Sequence, residues 1–402
     1  MTLAPLRIAM VGTRGVPASY GGFETAVEEI GSRLAERGHR VTVYCRSGRP
    51  EQPHQYRGMR LVWLPSIRLK VAETLTHTAF SVLHLLFRKR PNATFIFNAA
   101  NAPFLPLLRL RGARTAVHVD GLEWKRAKWS GAGRRYYRAA EEWSVRWGDA
   151  LISDAAAIAD YYQAEFDVPT ECIAYGAPIL DAPASHRLAE LGVEPGEFHV
   201  VVARFEPENH VEQIVEGYKR SRAKYPLVVV GGAPYAAAYT KRIQQLAAAD
   251  PRVHLTGPIY DQELLDQLYG HALTHVHGHS VGGTNPSLLR AMGAGTAVLA
   301  WDVVFNREVA GPDASYFNTP VELSGLIDAA EANVARTVAV GAKLRERAAA
   351  TYNWDAVADS YESLAFRLAA GERTHPKGRR RNPKSQWSAD GASDRAQRTE
   401  TR

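Results

Sequence analysis

The sequence predicts an α/β protein that contains two domains, each built on a parallel sheet. A chain of 402 residues is too long for one small domain. Apolar strand patterns alternate with helical patterns over residues 1–178, and the alternation begins again at residue 198 and continues to residue 350. Strands that alternate with helices form parallel sheets whose faces the helices cover. Two such series, separated by a turn-rich linker at 176–197, therefore predict two sheets.

The first domain begins with a pattern of strand, glycine-rich loop, helix and strand. These elements are predicted at 6–12, 13–22, 23–38 and 39–46. NAD binding is disfavoured, because the loop lacks GxGxxG and the second strand ends in Cys45-Arg46 rather than in an acidic residue. Gly21 and Gly22 would instead let the backbone approach a phosphate in front of the helix N-terminus. A tight turn without a ligand is the alternative.

A second group of functional candidates follows the strand TAVHV. His118 and Asp120 lie on the same face of that strand under its period of two, and Asp120 is at its carboxyl end. We predict that Asp120 is a catalytic base, with a turn cap as the alternative. His118 is equally well explained as a catalytic residue or as a core histidine. The next loop crowds residues that suit a sugar acceptor: Glu123, Trp124 and Lys125.

The second domain contains two further segments of interest. VVARFEPEN at 201–209 is a strand followed by Arg204, for which the residues alone suggest a surface salt bridge. The stretch 277–309 has the pattern loop, helix, turn and strand, and its glycines precede an N-cap and an apolar helix. The free N–H groups and positive dipole end of such a helix attract an anion. An ordinary glycine-rich loop is the alternative.

These segments together resemble the GT-B glycosyltransferases, in particular the rhamnosyltransferase-like family of bacterial surface-polysaccharide enzymes. The resemblance rests on SYGGFET, DGLEWKRAKW, VVARFEPEN and VGGTNPSLL with FNREV. It implies two Rossmann-like, doubly wound parallel-sheet domains that face a central cleft, and a last helix at 353–371 that returns to the first domain. The donor-binding residues that it implies are Gly21, Gly22, Arg204, Asn209, Gly282, Gly283, Thr284, Asn285, Ser287 and Arg290.

The sequence departs from the family pattern at three of those positions. Gly282 and Arg290 stand where the broader family has a pair of glutamates, and Asn209 stands where a lysine usually helps an arginine to bind the diphosphate. The usual carboxylate contacts with the donor sugar and ribose therefore cannot be assumed. Of the arginine and the lysine that the family uses to bind the diphosphate, this sequence has only the arginine, Arg204.

Composition limits the classes of partner. The net charge is +7, but residues 373–402 hold nine Lys or Arg against three Asp or Glu, so the basicity belongs to a tail that we predict to be disordered. A nucleic-acid partner is therefore disfavoured. No apolar run is long enough to cross a bilayer. Cys45 and Cys172 lack metal-ligand spacing, which predicts reduced, structural thiols.

The sequence thus predicts transfer of a sugar, such as rhamnose, from a nucleotide diphosphate sugar to a growing cell-surface polysaccharide or lipid-linked glycan. Neither a metal nor another cofactor is predicted, since there is no Asp-x-Asp, and the resemblance implies retention of anomeric configuration. A sugar-nucleotide epimerase or a non-catalytic sugar-binding relative with the same fold is the alternative. The predicted location is cytoplasmic, and peripheral association with the inner membrane face is left open.

Overall fold

The computed structural model describes residues 4–18, 21–49, 51–67, 72–119, 121–126, 129, 131–181, 183–233, 236–376 and 378–382. The chain forms two compact units. The first contains 1–124, 131–173 and 358–402, and the second contains 125–130 and 174–357. The main division at Ile173–Ala174 falls just before the predicted linker.

The first unit is built on a sheet to which eight strands contribute among the described residues. They are β1 Arg7–Val11, β2 Arg40–Arg46, β3 Gln55–Tyr56, β4 Met59–Leu64, β5 Ala93–Phe97, β6 Thr115–His118, β7 Ala150–Ser153 and β8 Glu171–Cys172. The strand order is β3-β4-β2-β1-β5-β6-β7-β8, and only the β3–β4 pair is antiparallel. The helices that accompany this sheet are α1 Gly22–Glu36, α2 Ala72–Leu86, α3 Leu105–Leu110, α4 Gly131–Trp147 and α5 Ala156–Phe166.

Burial explains why the first strand lies at the centre of this sheet. In β1, Ile8 pairs with Val41 of β2 on one side and with Ala93 of β5 on the other. Four successive residues of β1, from Ile8 to Val11, are buried. A strand that is covered on both faces requires such a continuous apolar run, which is the pattern of a parallel sheet between helical layers.

The second unit is built on six parallel strands in the order β11-β10-β9-β12-β13-β14 among the described residues. They are β9 His199–Val202, β10 Leu227–Val230, β11 Val253–Gly257, β12 Thr274–His277, β13 Ala297–Trp301 and β14 Ser315–Phe317. The helices are α6 Val211–Arg220, α7 Ala237–Ala248, α8 Gln262–His271, α9 Pro286–Ala294, α10 Val304–Ala310, α11 Pro320–Ala332 and α12 Val334–Thr351. Along the chain as a whole, short 3₁₀ turns occur at Ala99–Phe104, Glu123–Lys125, Leu188–Leu191 and Pro207–Asn209.

Side chains of the second sheet pack into two separate clusters, one on each face. Val201 and Val229 belong to one cluster, whereas Val200 and Val228 belong to the other. This alternation along β9 and β10 is the period of two expected of strands. Two parallel-sheet α/β domains are therefore present, as the sequence predicts.

The last helix, α13 Trp354–Ala369, packs on the first unit from Ala358 onward. Tyr361 lies edge-on to Phe95 of β5 at a centroid distance of 4.9 Å. Glu362 accepts from Arg37 at 2.8 Å and contacts His39 Nε2 at 2.6 Å. Ion pairs and an aromatic contact thus fix this helix beside the sheet.

The prediction of a disordered tail from residue 373 is wrong for 373–376 and 378–382. Arg373 Nη2 lies 2.9 Å from Asp149 Oδ1, and Arg381 pairs with Glu141 at 2.9 Å and also with Glu165. Both of these glutamates are buried, so their need for a cation offsets the entropy lost when the segment becomes ordered. Residues 377 and 383–402 lie outside the described part of the chain.

In the part of the chain that the structure describes, no helix has the length and apolar character that a membrane crossing requires.

Candidate functional site

The carboxyl edge of the second sheet carries two arginines that share one buried carboxylate. Arg204 follows β9, and its Nη2 lies 3.5 Å from Glu206 Oε2. Arg126, from the short segment that groups with this unit, places Nη1 3.7 Å from the same oxygen. The Arg204 side chain is 37% exposed, whereas that of Glu206 is 3% exposed. One buried carboxylate therefore lies within 4 Å of two guanidinium groups at this edge.

The 3₁₀ turn Pro207–Asn209 holds polar groups immediately below Arg204. Asn209 Nδ2 donates to Arg204 O at 2.8 Å, so Asn209 positions the backbone that carries the arginine. Among the described residues, both carboxylate oxygens of Glu208 are buried and have no hydrogen-bond partner. The main-chain oxygen of Glu208 accepts from Ser280 N at 2.9 Å and Ser280 Oγ at 3.0 Å. These bonds tie the turn to the loop after β12.

Two histidines connect that loop with β12. The rings of His277 and His279 stack at 4.5 Å, and Asn306 Nδ2 donates to His279 O at 2.9 Å. Burial, followed by the charges of Arg204 and Arg126, lowers the pKa of His279 to about 3. His279 is therefore neutral near pH 7 and leaves the positive charge to the arginines.

The predicted anion-binding loop leads into the N-terminus of α9. Gly282 adopts φ 137°, which side chains rarely tolerate, and it is followed by Gly283. Asn285 is the N-cap, and its side chain accepts from Ser287 N at 2.9 Å. Ser287 Oγ donates to Asn285 Oδ1 at 2.8 Å and lies 3.5 Å from His277 Nδ1. The predicted N-cap is therefore present, and the helix dipole adds positive potential at this edge.

Three further loop residues have different surroundings. Thr284 is buried beside the N-cap. Arg290 lies on the second turn of α9 and its Nη1 pairs with Asp266 of α8, so this guanidinium is committed to an ion pair within the domain. Phe305 and Asn306 line a small concavity together with the loop residues.

An aromatic stack lies next to the same edge. His210 follows the 3₁₀ turn, and its ring lies 3.6 Å from the Trp301 ring at 12°. His210 Nδ1 is 2.8 Å from the carbonyl oxygen of Gly278, and burial lowers the pKa of the imidazole. Trp301 ends β13 and also contacts Phe317 edge-on. The stack stiffens the connection between β9 and β13.

In the first unit, Gly21 and Gly22 form the start of α1 as predicted. Gly21 is the N-cap at φ 129°, and a Cβ there would lie 2.1 Å from Glu24 Oε2. Glu24 Oε1 accepts from Arg14 N at 3.0 Å. The glycine therefore leaves room for a carboxylate that holds the loop after β1 in place. Among the helix-start residues, Glu24 was not identified from the sequence.

His118 ends β6 and is buried. Its ring stacks on Phe97 at 5.7 Å and meets Phe23 edge-on at 5.1 Å. Burial lowers the pKa of His118 to about 3, so the imidazole is neutral near pH 7. These contacts are those of a core histidine at the end of a strand. Asp120, the predicted base, lies outside the described residues.

The predicted acceptor residues form the 3₁₀ turn Glu123–Lys125. Glu123 and Trp124 are buried in the first unit, and Arg138 Cζ lies 5.1 Å from the Trp124 ring centroid. Lys125 is exposed and groups with the second unit. Their role in binding an acceptor stays a prediction.

Sequence reasoning did not connect five polar groups with Arg204, although all of them stand in stretches that it singled out. They are Arg126, Glu206, Glu208, His279 and Asn306. Glu206 and Glu208 stand inside the quoted stretch VVARFEPEN, so their proximity to Arg204 was a usable signal. Arg126 and Asn306 are far away in sequence and reach the site through the fold. Two guanidinium groups and a helix N-terminus at strand ends are groups that can bind an anion.

Two family models match consecutive parts of the chain. The glycosyl transferase 4-like domain matches residues 21–175, and the glycosyl transferases group 1 model matches residues 189–347. None of the curated proteins compared with the sequence matches it.

Several solved structures share the fold. Sucrose-phosphate synthase from Thermosynechococcus elongatus superposes with a TM-score of 0.77 at 22% identity, covering 91% of this chain and 100% of that chain. Anabaena Alr3699/HepE in complex with UDP gives 0.69 at 13% identity and covers 90% and 100%. The catalytic domain of starch synthase IV from Arabidopsis thaliana, bound to ADP and acarbose, gives 0.70 at 12% identity and covers 91% and 100%.

The two matched models follow each other along the chain, one on each parallel-sheet domain. The chain therefore belongs to the glycosyltransferases with the GT-B fold.

Proposed function

We propose that this protein transfers a sugar, a deoxyhexose such as rhamnose, from a nucleotide diphosphate sugar to a growing cell-surface polysaccharide or lipid-linked glycan. The observation that carries the proposal is the pair Arg204 and Arg126 around Glu206, at the strand ends beside α9. A leaving nucleoside diphosphate gains charge as the sugar departs, and fixed cations aimed at it stabilise the transition state. HepE has been solved in complexes with UDP and with UDP-glucose, which supports a nucleotide-sugar donor.

In this proposal the donor diphosphate binds Arg204, Arg126 and the free N–H groups at the start of α9. Gly282 and Gly283 allow the ligand to approach the main chain, and Ser287 Oγ supplies a hydrogen bond. Arg290 does not bind the phosphates in this proposal, because its guanidinium group already pairs with Asp266. The enzyme needs no metal or other cofactor, since the guanidinium groups supply the positive charge. The sugar keeps its anomeric configuration.

We propose that Asp120 acts as the base that relieves the acceptor hydroxyl of its proton, while Glu123, Trp124 and Lys125 contact the acceptor. Asp120→Asn is expected to lower turnover by about 10²-fold and to leave donor affinity unchanged. The matched control is Asp160→Asn on α5 of the same domain. Near-normal turnover of Asp120→Asn would favour a turn-capping role, because asparagine caps turns equally well.

A peripheral position at the cytoplasmic face of the inner membrane is part of this proposal. Phe87 and Leu110 are 80% and 84% exposed beside the ends of α2 and α3. Arg88 and Lys89 follow Phe87 directly. Exposed apolar side chains with adjacent basic residues suit an anionic lipid surface, where a lipid-linked acceptor would be presented.

The alternative function is epimerisation of a sugar nucleotide or sugar binding without catalysis. It is favoured by the absence of the usual glutamate pair, since Gly282 and Arg290 occupy those positions. The deciding experiment incubates the full chain with a panel of nucleotide sugars, with and without glycan acceptors. A transferase consumes the donor productively only when acceptor is added, an epimerase changes the donor alone, and a binding protein does neither. Donor conversion without acceptor, or none under any condition, would overturn the transferase proposal.

A further inference from the structure

A second cationic pocket lies in the first unit, at the edge of the sheet opposite His118. Asn92, Arg114 and Asp149 line it, and each directly precedes a strand, namely β5, β6 and β7. The amino ends of parallel strands meet at one edge, whereas ligands of open α/β sheets bind at the carboxyl ends. This pocket is therefore separated by the length of the strands from the loop that contains Gly21.

Arginine dominates the lining of this pocket. Among the described residues that line it, four are arginines and one is a carboxylate: Arg90, Arg109, Arg114 and Arg373 with Asp149. Asp149 Oδ1 lies 2.9 Å from Arg373 Nη2 and 3.4 Å from Arg114 Nη1, and its Oδ2 accepts from Thr115 N at 3.0 Å. Asp149 can thus neutralise only part of the charge. An excess of three positive charges faces the cavity.

The pocket also has hydrogen-bond donors that remain available. Arg373 Nη1 is buried and has no partner among the described residues. Arg109 Nη1 makes only a long bond, 3.3 Å, to Trp147 O. Burial, followed by the charges of Arg109 and Arg114, lowers the pKa of Arg373 against the opposing charge of Asp149, and like charges in one pocket repel one another. An anion would relieve this repulsion and satisfy the buried donor.

The shape of the pocket preserves space for such a ligand. The cavity has a volume of about 430 Å³, which exceeds the volume of one phosphate group and admits a diphosphate or a phosphate ester. Two glycines lie where guanidinium groups pack closely against the main chain. A Cβ on Gly112 would lie 2.8 Å from Arg90 Nη1, and a Cβ on Gly371 would lie 3.2 Å from Arg114 Nη2. Larger residues would displace the two arginines.

We propose that this arginine pocket binds the phosphate or diphosphate group of a ligand that is distinct from the sugar donor. Planar guanidinium forks match phosphate oxygens in pairs. The pocket is independent of the proposed transferase activity. Two sources can supply the same chemistry, a soluble phosphate compound or the headgroup of a phosphomonoester lipid.

Arg373 shows how the pocket depends on the C-terminal segment. Its side chain reaches Asp149, and Thr374 N donates to Asp149 O at 3.1 Å. His375 Nε2 is 2.8 Å from Val145 O. The segment after α13 therefore completes one wall of the pocket, and binding there would favour its ordered position.

The test is calorimetry on the full chain with inorganic phosphate and with diphosphate. The variant Arg90→Gln/Arg109→Gln removes two guanidinium groups but retains both ion pairs of Asp149, so that folding is preserved. The matched control Arg134→Gln/Arg135→Gln removes the same charge from exposed positions of α4 in the same unit, outside the pocket lining. We expect saturable diphosphate binding in the wild type and in the control, and at least about 10-fold weaker binding in the pocket variant.

A second experiment, with lipid vesicles, distinguishes the two sources of the phosphate group. Sedimentation uses vesicles of phosphatidylcholine with an equal part of phosphatidic acid, and phosphatidylcholine alone as the blank. Loss of vesicle binding in the pocket variant only, with competition by diphosphate, assigns a lipid headgroup. Equal vesicle binding by all three proteins, with diphosphate binding still sensitive to the pocket variant, assigns a soluble ligand. Absence of saturable diphosphate binding, or equal weakening in pocket variant and control, would overturn the proposal.

Discussion

Arginines meet buried carboxylates in both units, but the balance of charge differs. In the first unit, Arg381 contacts Glu141 and Glu165, and Arg138 lies 3.7 Å from Glu165, so two cations face two anions. In the second unit, Arg204 and Arg126 face the single Glu206. The first cluster is closed within the fold, whereas in the second the Arg204 side chain is 37% exposed and both oxygens of the neighbouring Glu208 carboxylate lack a partner among the described residues.

This difference separates a structural ion cluster from a binding site. Removal of one member of a closed buried cluster leaves a charge without a partner, and the free energy of unfolding falls. Removal of a surplus cation from a binding site costs little stability and instead weakens the ligand contact. The two kinds of cluster therefore predict different responses to the same substitution, arginine to alanine.

The largest effect is expected for Arg381→Ala. Glu141 and Glu165 are buried, and desolvation raises the pKa of Glu141 against the opposing influence of Arg381. Loss of the guanidinium should lower the free energy of unfolding by about 3 to 5 kcal/mol, measured by denaturant titration. Nucleotide affinity at the donor site should not change in the folded protein.

The control for Arg381 is Arg379→Ala. Arg379 pairs with Asp167, and both side chains are about half exposed or more. An exposed pair contributes about 0 to 1 kcal/mol, so this variant should unfold close to the wild type. Equal stability of the two variants would show that the cluster around Arg381 is not closed. A chain truncated after residue 372 should be less stable than one truncated after residue 382, because only the shorter chain loses these contacts.

The C-terminal segment shows the limit of sequence reasoning most clearly. A polar, basic composition predicts disorder because such a segment cannot bury apolar surface. Residues 378–382 are nevertheless held by ion pairs with α4 and α5, whose glutamates look like solvent-facing residues of amphipathic helices in the sequence. Partners that are distant in the chain cannot be assigned from local composition.

The fold itself was predictable for a local reason. Strands such as β1 and β10 are buried on both faces and therefore appear as continuous apolar runs between helical patterns. The elements of the proposed donor site were equally predictable, since Arg204 and the N-cap Asn285 each lie in a local strand–turn–helix pattern, after β9 and after β12. Arg126 and the Asp266 partner of Arg290 were not visible, because tertiary packing creates both contacts.

An intermediate effect is expected for Arg204→Ala, and it concerns binding rather than stability. A charge-assisted contact with phosphate is worth about 1.5 to 3 kcal/mol, so affinity for the nucleoside diphosphate should fall about 10- to 100-fold in calorimetry. The melting temperature should stay near that of the wild type, since Arg126 remains beside Glu206. Arg242→Ala, which removes an exposed partner of Glu212 in the same domain, serves as the control. Unchanged affinity would remove Arg204 from the site.

The smallest effect, and the one with the opposite sign for stability, is expected for Glu208→Gln. The carboxylate oxygens of Glu208 are buried and lack a partner among the described residues, although the turn that carries them is held by Ser280. A buried charge without a partner costs free energy, and a neutral amide of the same shape costs less. We therefore expect the variant to be more stable by about 1 kcal/mol in denaturant titration.

A stabilising substitution at Glu208 should come with weaker donor binding. Fixed acceptors that have no partner among the described residues are suited to hydroxyl groups of a ligand, and glutamine accepts such bonds more weakly than a carboxylate. Glu346→Gln, on the exposed side of α12 in the same domain, should change neither property. A destabilised Glu208→Gln variant with normal donor affinity would show that the carboxylate has a partner within the fold. The charged cluster around Arg204 and Glu206 would then be closed within the fold, like the cluster around Arg381.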